Sequence, residues 1–147
     1  MKALVKEIET TVLENALQIQ KLSDAEFEFK RAPNKWSKKE ILGHLIDSAQ
    51  NNINRFVRAQ YEDTPRIIYN QDHWVNLQHY QTYDREDLLQ LWVLMNKHLC
   101  RILDLMEPKN YGRTCDVSQP DQAVHTIEFL AKDYLVHLNH HLKQVNA

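Results

Sequence analysis

The sequence predicts an all-α protein: a four-helix bundle with a long ordered link between its second and third helices. Three observations predict it. Only two glycines and four prolines occur in 147 residues, leaving few places for tight turns or strand punctuation. Leu, Glu, Gln and Lys recur throughout, and all are good helix formers. Four long segments repeat apolar residues at three- and four-residue steps, the period of an amphipathic helix. At 17.5 kDa, residues 1–147 suit one domain with one real core.

The first helix is expected from Ala3 to Leu22, with Val5, Ile8, Val12, Ala16, Ile19 and Leu22 as its stripe. The link "SDAEFEFKRAPNKW" follows, broken by Pro33. The second helix has the clearest start. In "WSKKEI", Ser37 caps the orphan amides and Glu40, three residues on, reaches back, forming a capping box. Trp36 and Ile41 take the two staple positions. The stripe Ile41, Leu45, Ala49, Asn52, Ile53 and Phe56 then runs toward Gln60. Gly43 costs this helix ~1 kcal/mol relative to alanine. It marks a place of close approach, by a ligand or simply by neighbouring backbone. Residues 61–83, "YEDTPRIIYNQDHWVNLQHYQTY", are long for a bundle connection and rich in aromatics and amides. A short helix is expected near Gln71–Leu77. The third long helix starts at the cap Asp84 and runs to Met106, with Leu88, Leu91, Trp92, Met95, Leu99, Ile102 and Met106 inward. Glu107-Pro108 stops it. A link containing Gly112 and Pro120 leads to the fourth helix, from near Thr126 almost to the end.

Charge and cysteine usage exclude several classes. Lys+Arg 18 against Asp+Glu 20 gives a net charge of -2 with no long basic run, so neither nucleic acid nor an anionic membrane is the expected partner. No segment approaches the ~20 apolar residues of a membrane span. Lys2, Lys6, Glu7 and Glu9 stand where a signal peptide needs an apolar run. Cys100 and Cys115 are too few for a disulfide framework, and a reducing cytoplasm is the expected location. Cys100, beside Leu99, reads as a small buried hydrophobe. Cys115 lies in a link, and its reactivity is open.

The stretch "YLVHLNHHLKQV", residues 134–145, holds three of the eight histidines. On the fourth helix, Ile127, Ala131, Tyr134, Leu138, Leu142 and Val145 define the apolar direction. At 100° per residue, His141 lies within about 50° of its centre, His137 about 90° away and His140 about 150° away. His137 and His141 therefore stack on one flank, and His140 faces solvent. Burying two imidazoles costs a few kcal/mol unless their nitrogens find partners. A divalent cation is a natural common partner, since paired histidines at i and i+4 bind metal on other helices. Ordinary hydrogen-bonded rim residues are the competing reading. A third ligand must come from another helix: His44, about 60° outside the stripe of the second helix, or His98 on the third. Periodicity leaves that choice open. His44 would place the site at the bundle's edge and not in its dry core.

Two blocks resemble the DinB/YfiT-like superfamily of small metal-binding helical bundles. "NKWSKKEILGHLIDS", residues 34–48, is similar to its Trp-Ser-x-x-Glu-(apolar)₂-Gly-His-Leu helix start. "LAKDYLVHLNHHLKQV", residues 130–145, is similar to its closing Asp-Tyr-x-x-His-x-x-His-His-x-x-Gln block. The resemblance implies a divalent metal held by His44, His137 and His141, with His140 outside the ligand set. It also implies a metal-dependent hydrolase or a transferase using low-molecular-weight thiols, acting on an undetermined small substrate, and a homodimer. The three tryptophans and a Met/Leu-rich third helix add to the dimer expectation. A non-enzymatic, metal-stabilised bundle acting in stress response or partner binding is the alternative.

Three neutral imidazoles suit zinc, nickel, copper or iron, with zinc or nickel the first expectation. Three protein ligands with open positions make the catalytic arrangement and not the closed structural one. Asp47 and Ser48 follow His44 by one turn and are candidates for orienting the ligands, though a solvated helix face is the leading expectation for Asp47. The aromatic density of the link, with Tyr61, Tyr69, Trp74, His79 and Tyr80, predicts that it lies over the metal end of the bundle.

Overall fold

Each amphipathic stripe becomes one wall of a shared core. The computed structural model describes residues 1–118 and 123–147, so Pro120 lies outside the described residues. The long helices are α1 (Lys2–Gln20), α3 (Lys38–Arg58), α5 (Arg85–Leu105) and α6 (Ile127–Val145). Between them come the short α2 (Asp24–Glu28) and α4 (Gln71–Leu77), the latter where the sequence placed it. α3 packs on α5 and α6, and α1 packs on the same two. The ring order is therefore α1–α5–α3–α6, a four-helix bundle in which successive long helices need not be neighbours. Ile8, Ile19, Leu42, Phe56, Trp92, Leu99, Leu103, Ile127 and Leu138 are wholly buried inside it. Each such side chain contributes about 1.5–3 kcal/mol relative to exposure.

Local chemistry sets the helix starts. Ser37 accepts from the Glu40 amide while the Glu40 carboxylate accepts from the Ser37 amide, satisfying two orphan donors at once. Ser23 and Glu26 repeat that box one link earlier and start α2. The sequence reading treated this stretch as plain link, although Ser-x-x-Glu was there to be read. Asp84 caps α5 as expected, and Thr126, near which the fourth helix was expected to begin, caps α6.

Two features were not foreseen. One is a small antiparallel hairpin, β1 (Thr114–Asp116) with β2 (Val124–Thr126). With three residues per strand, it is too short to leave a periodic signal in the sequence. Link residues 65–67 run alongside β1, with Ile67 donating to the Asp116 carbonyl at 2.9 Å and Asp116 donating to Pro65 at 3.0 Å. The other is the turn by which the link docks on α3. A 3₁₀ turn, Tyr80–Thr82, follows His79, whose φ of 51° is left-handed and turns the chain back onto α3. Histidine is among the side chains that tolerate this region best.

That turn explains Gly43. A Cβ at Gly43 would collide with the Tyr80 ring, so the close approach is by a side chain of the link. Tyr80 then reaches one turn along α3 and donates to Asp47 Oδ1 at 2.5 Å. Gln78 donates to the same oxygen at 2.7 Å. The expectation of a solvated face for Asp47 is therefore corrected. Asp47 is fully buried because the link covers the polar flank that amphipathicity assigns to water. Covered in this way, every residue of α3 from Leu42 to Ala49 is buried.

Candidate metal centre

The three expected histidines come together. His44 is carried by α3, and His137 and His141 by α6, its neighbour in the ring. One ring nitrogen from each lies within 4.8 Å of the others. His44 Nε2 and His137 Nε2 are 3.1 Å apart. Two nitrogens each about 2.0–2.1 Å from one zinc ion stand roughly 3 Å apart, so the donor set fits a divalent ion. The rings also contact edge to face, with His44 and His141 centroids at 4.7 Å and His137 and His141 at 4.5 Å. His98 is exposed and apart from the cluster, and His140 is exposed as the angular count required.

Neighbouring groups fix each ring. Gln144 Oε1 accepts from His141 Nδ1 at 3.0 Å, while its amide nitrogen lies 3.2 Å from His140. Engaging Nδ1 leaves His141 Nε2 available, the usual way a ligating histidine is oriented. Ser48 Oγ lies 3.4 Å from His137 Nδ1, so the candidate role of Ser48 has a contact behind it. Asp47 turns instead toward the link. Trp36 covers His44, with ring centroids 5.0 Å apart, and His44 is wholly buried. The edge-of-bundle expectation is thus corrected for this ring, because Trp36 and the link enclose that edge. His44 Nδ1 is buried without a partner among the described residues.

Burial makes the cluster resist protonation. Desolvation holds the His44 pKa down to about 3, with the neighbouring His137 and His141 adding repulsion. Burial lowers His137 to about 4, with His141, His140 and Arg55 adding repulsion. His141 is also lowered by burial, against the opposing hydrogen bond to Gln144. Neutral imidazoles are the metal-binding form.

A cavity of about 350 Å³ opens from His137. Ser48, Asn52 and Arg55 of α3 form one wall, Asp133 and Tyr134 of α6 another, and Tyr69 of the link a third. Tyr69 packs against Trp74 at 5.4 Å between ring centroids. The link therefore lies over the histidine end, as its aromatic content predicted. Arg55, Asn52 and Tyr69 escaped the sequence reading as site residues. For Asn52 and Arg55 the available signal was their spacing, eight and eleven residues after His44 on one helix face. On the other side, a groove of about 1360 Å³ includes Trp36, His140, Lys143 and Gln144. The cysteines take no part. Burial pushes the Cys100 thiol up to about 12. It also raises Cys115, which donates to the Pro65 carbonyl at 3.0 Å.

A four-helix bundle with three histidines converging from two facing helices beside a polar cavity defines a class of metal-binding bundle protein. The chain belongs to the DinB superfamily, whose sequence pattern matches residues 10–145. A relative from Halalkalibacterium halodurans, named "Putative metal-dependent hydrolase BH0277", is 28% identical over 144 residues, covering 96% of this chain and 81% of that protein. The fold is that of YfiT from Bacillus subtilis, described as "a probable metal-dependent hydrolase with an unusual four-helix bundle topology". The TM-score is 0.87 with 21% identity over 98% of this chain and 82% of the other. The mycothiol-dependent maleylpyruvate isomerase shares the fold at TM-score 0.81 and 10% identity, over 99% of this chain and 60% of the isomerase. No helix among the described residues is long and apolar enough to cross a membrane.

Proposed function

We propose that the chain is a metal-dependent hydrolase in which His44, His137 and His141 hold a divalent ion next to the cavity that receives a small substrate. The observation that carries this reading is the convergence of three ring nitrogens within 4.8 Å at the head of a partly open, polar cavity. Zinc or nickel is the ion proposed, since imidazole donors suit both. When bound, such an ion acts as a Lewis acid and makes a water or thiol more acidic near neutral pH. The chain's residues do the rest. Gln144 and Ser48 orient His141 and His137. Trp36 excludes water from His44. Asp133, on the cavity wall, is the carboxylate placed to take up a proton there.

Thiol transfer is the second reading, and it has its own observation. The groove beside Trp36 and Gln144, at about 1360 Å³, has room for a cosubstrate separate from the smaller cavity. The non-enzymatic alternative has less support, because a purely structural site has no use for an adjoining cavity.

The test is bound metal per chain by elemental analysis after identical loading. His44→Ala, His137→Ala and His141→Ala should each lose most of the metal, and His140→Ala should keep it. A site emptied by His140→Ala but not by His44→Ala would overturn the ligand set. Turnover of ester and amide substrates by the loaded protein, with and without added low-molecular-weight thiols, separates hydrolysis from transfer.

A further inference from the structure

The cavity beside His137 ends on a cation that, among the described residues, has no carboxylate within ion-pairing distance. Arg55 is half-buried and lines this cavity. Its Nε and Nη2 donate to the Ile67 carbonyl at 3.3 and 3.1 Å, and Nη1 makes a long 3.5 Å contact to Asn52. Among the described residues no carboxylate lies within ion-pairing distance of it, whereas Arg58, Arg66, Arg85 and Arg113 all have one. A guanidinium carries five donors and stays charged. Holding one partly out of water without an anion is unfavourable, so an arginine left this way in a cavity is a binding group. The Tyr69 ring 5.9 Å from its centre helps hold it.

Its position relative to the histidines is set by the helix. His44, Ser48, Asn52 and Arg55 fall on one face of α3, at steps of four, four and three residues. Ser48 touches His137, and Arg55 lies roughly 10 Å further along the axis by the helical rise. A ligand in between has its reacting end at the histidines and its other end at the guanidinium.

We infer that Arg55 is a specificity-determining residue, and that the cavity takes small organic oxyanions whose carboxylate or phosphate pairs with it. This rests on the proposed function for what happens at the reacting end, but not for the anion site itself. Asp133, on the facing wall of the same cavity, already acts on the Arg55 charge from beyond ion-pairing distance, so an anion bound there must outcompete it for the guanidinium. One arginine fork matches a carboxylate or a phosphate through paired hydrogen bonds, and a neutral amide of the same shape lacks that charge.

The experiment is calorimetric titration of the full-length protein, as purified and after metal loading, with phenylacetate, phenylacetamide and phenyl phosphate. Metal content is measured on the same samples. The wild type should bind the acid at least tenfold more tightly than the amide. Phenyl phosphate against phenylacetate shows which oxyanion is preferred. Arg55→Gln should abolish the preference while leaving amide binding within about twofold, and Arg55→Lys should retain part of it. Because Arg55 also tethers Ile67, a purely structural role predicts that both substitutions weaken acid and amide equally, which would overturn the inference. Equal binding of acid and amide by the wild type would overturn it too. If loaded samples hold no metal the metal reading fails, while an acid preference that persists in them still supports the anion site, so the two failures are distinguishable.

Discussion

His44 is a basic side chain placed where its protonated form has no support. The sequence alone puts loss of metal near pH 6.5, where free imidazoles protonate. Desolvation moves that point down, since His44 and His137 titrate at about 3 and about 4. Bound metal, measured after dialysis across a pH series, should therefore persist well below pH 6.5. The same shifts set the acid stability of the metal-free chain. The folded pKa lies below the unfolded value, so the unfolded chain binds more protons as pH falls through 6.5. Stability should drop over that range, by about 2 kcal/mol from His44 alone near pH 5, read from urea midpoints. Asp47 behaves in the opposite sense. Burial raises its pKa despite hydrogen bonds from Tyr80 and Gln78, and Oδ2 has no partner among the described residues. Its stability contribution is greatest when it is protonated and falls as pH rises through the folded value. Asp47→Asn should therefore raise the urea midpoint at pH 8 and change it little at acid pH. The histidine pair was legible because α6 phase and flank follow from 100° per residue. Asp47 was not, because its burial is made by Tyr80, 33 residues away.

Among elements, α3 and the segment at 61–83 depend on each other through one small contact. Gly43→Ala improves helix propensity by about 1 kcal/mol, yet its methyl collides with the Tyr80 ring. Overpacking of that kind costs typically 1–3 kcal/mol. The net effect should be a lower urea midpoint, and Gly43→Ala combined with Tyr80→Leu should recover part of it. The loss should be concentrated in the link, seen as faster amide exchange in residues 74–82. The long helices were legible from their stripes and caps because those signals are local. The hairpin and the docking of the 3₁₀ turn were not. They are held by pairings such as Asp116 to Pro65 and Tyr80 to Asp47, which no short window of sequence contains.

For the whole molecule, the ring order α1–α5–α3–α6 puts the two ligand-bearing helices side by side although nearly seventy residues separate them. The bundle also absorbs much of the apolar surface behind the dimer expectation: Trp92, Leu99 and Leu103 are wholly buried within one chain. Among the large apolar side chains left exposed are Leu13 and Leu17 on α1, at 59% and 60%, and Leu94 and Leu105 on α5, at 60% and 64%. These support the proposal of a homodimer through α1 or α5. Sedimentation at micromolar concentration should give twice the 17.5 kDa chain mass, and Leu13→Glu with Leu17→Glu or Leu94→Glu with Leu105→Glu should return it to one. A wild type that sediments only as a single chain would end the proposal. The ring order itself was beyond the sequence, since a stripe shows that a helix face is buried but not which helix buries it.

Gly43, Asp47 and Tyr80 also constrain how this lineage can change. Any side chain at 43 evicts the tyrosine ring, and without the ring the buried carboxylate loses its hydroxyl donor. Neither the glycine nor the tyrosine can be replaced cheaply while the other two stand, and the acid at 47 can give way only to a side chain that keeps an acceptor for the tyrosine hydroxyl. Substitutions at these positions should therefore be inherited together. Relatives with a side chain at 43 should lack both the aromatic at 80 and the acid at 47, and chimeras that exchange residues 61–83 between such relatives should fold only when α3 travels with them.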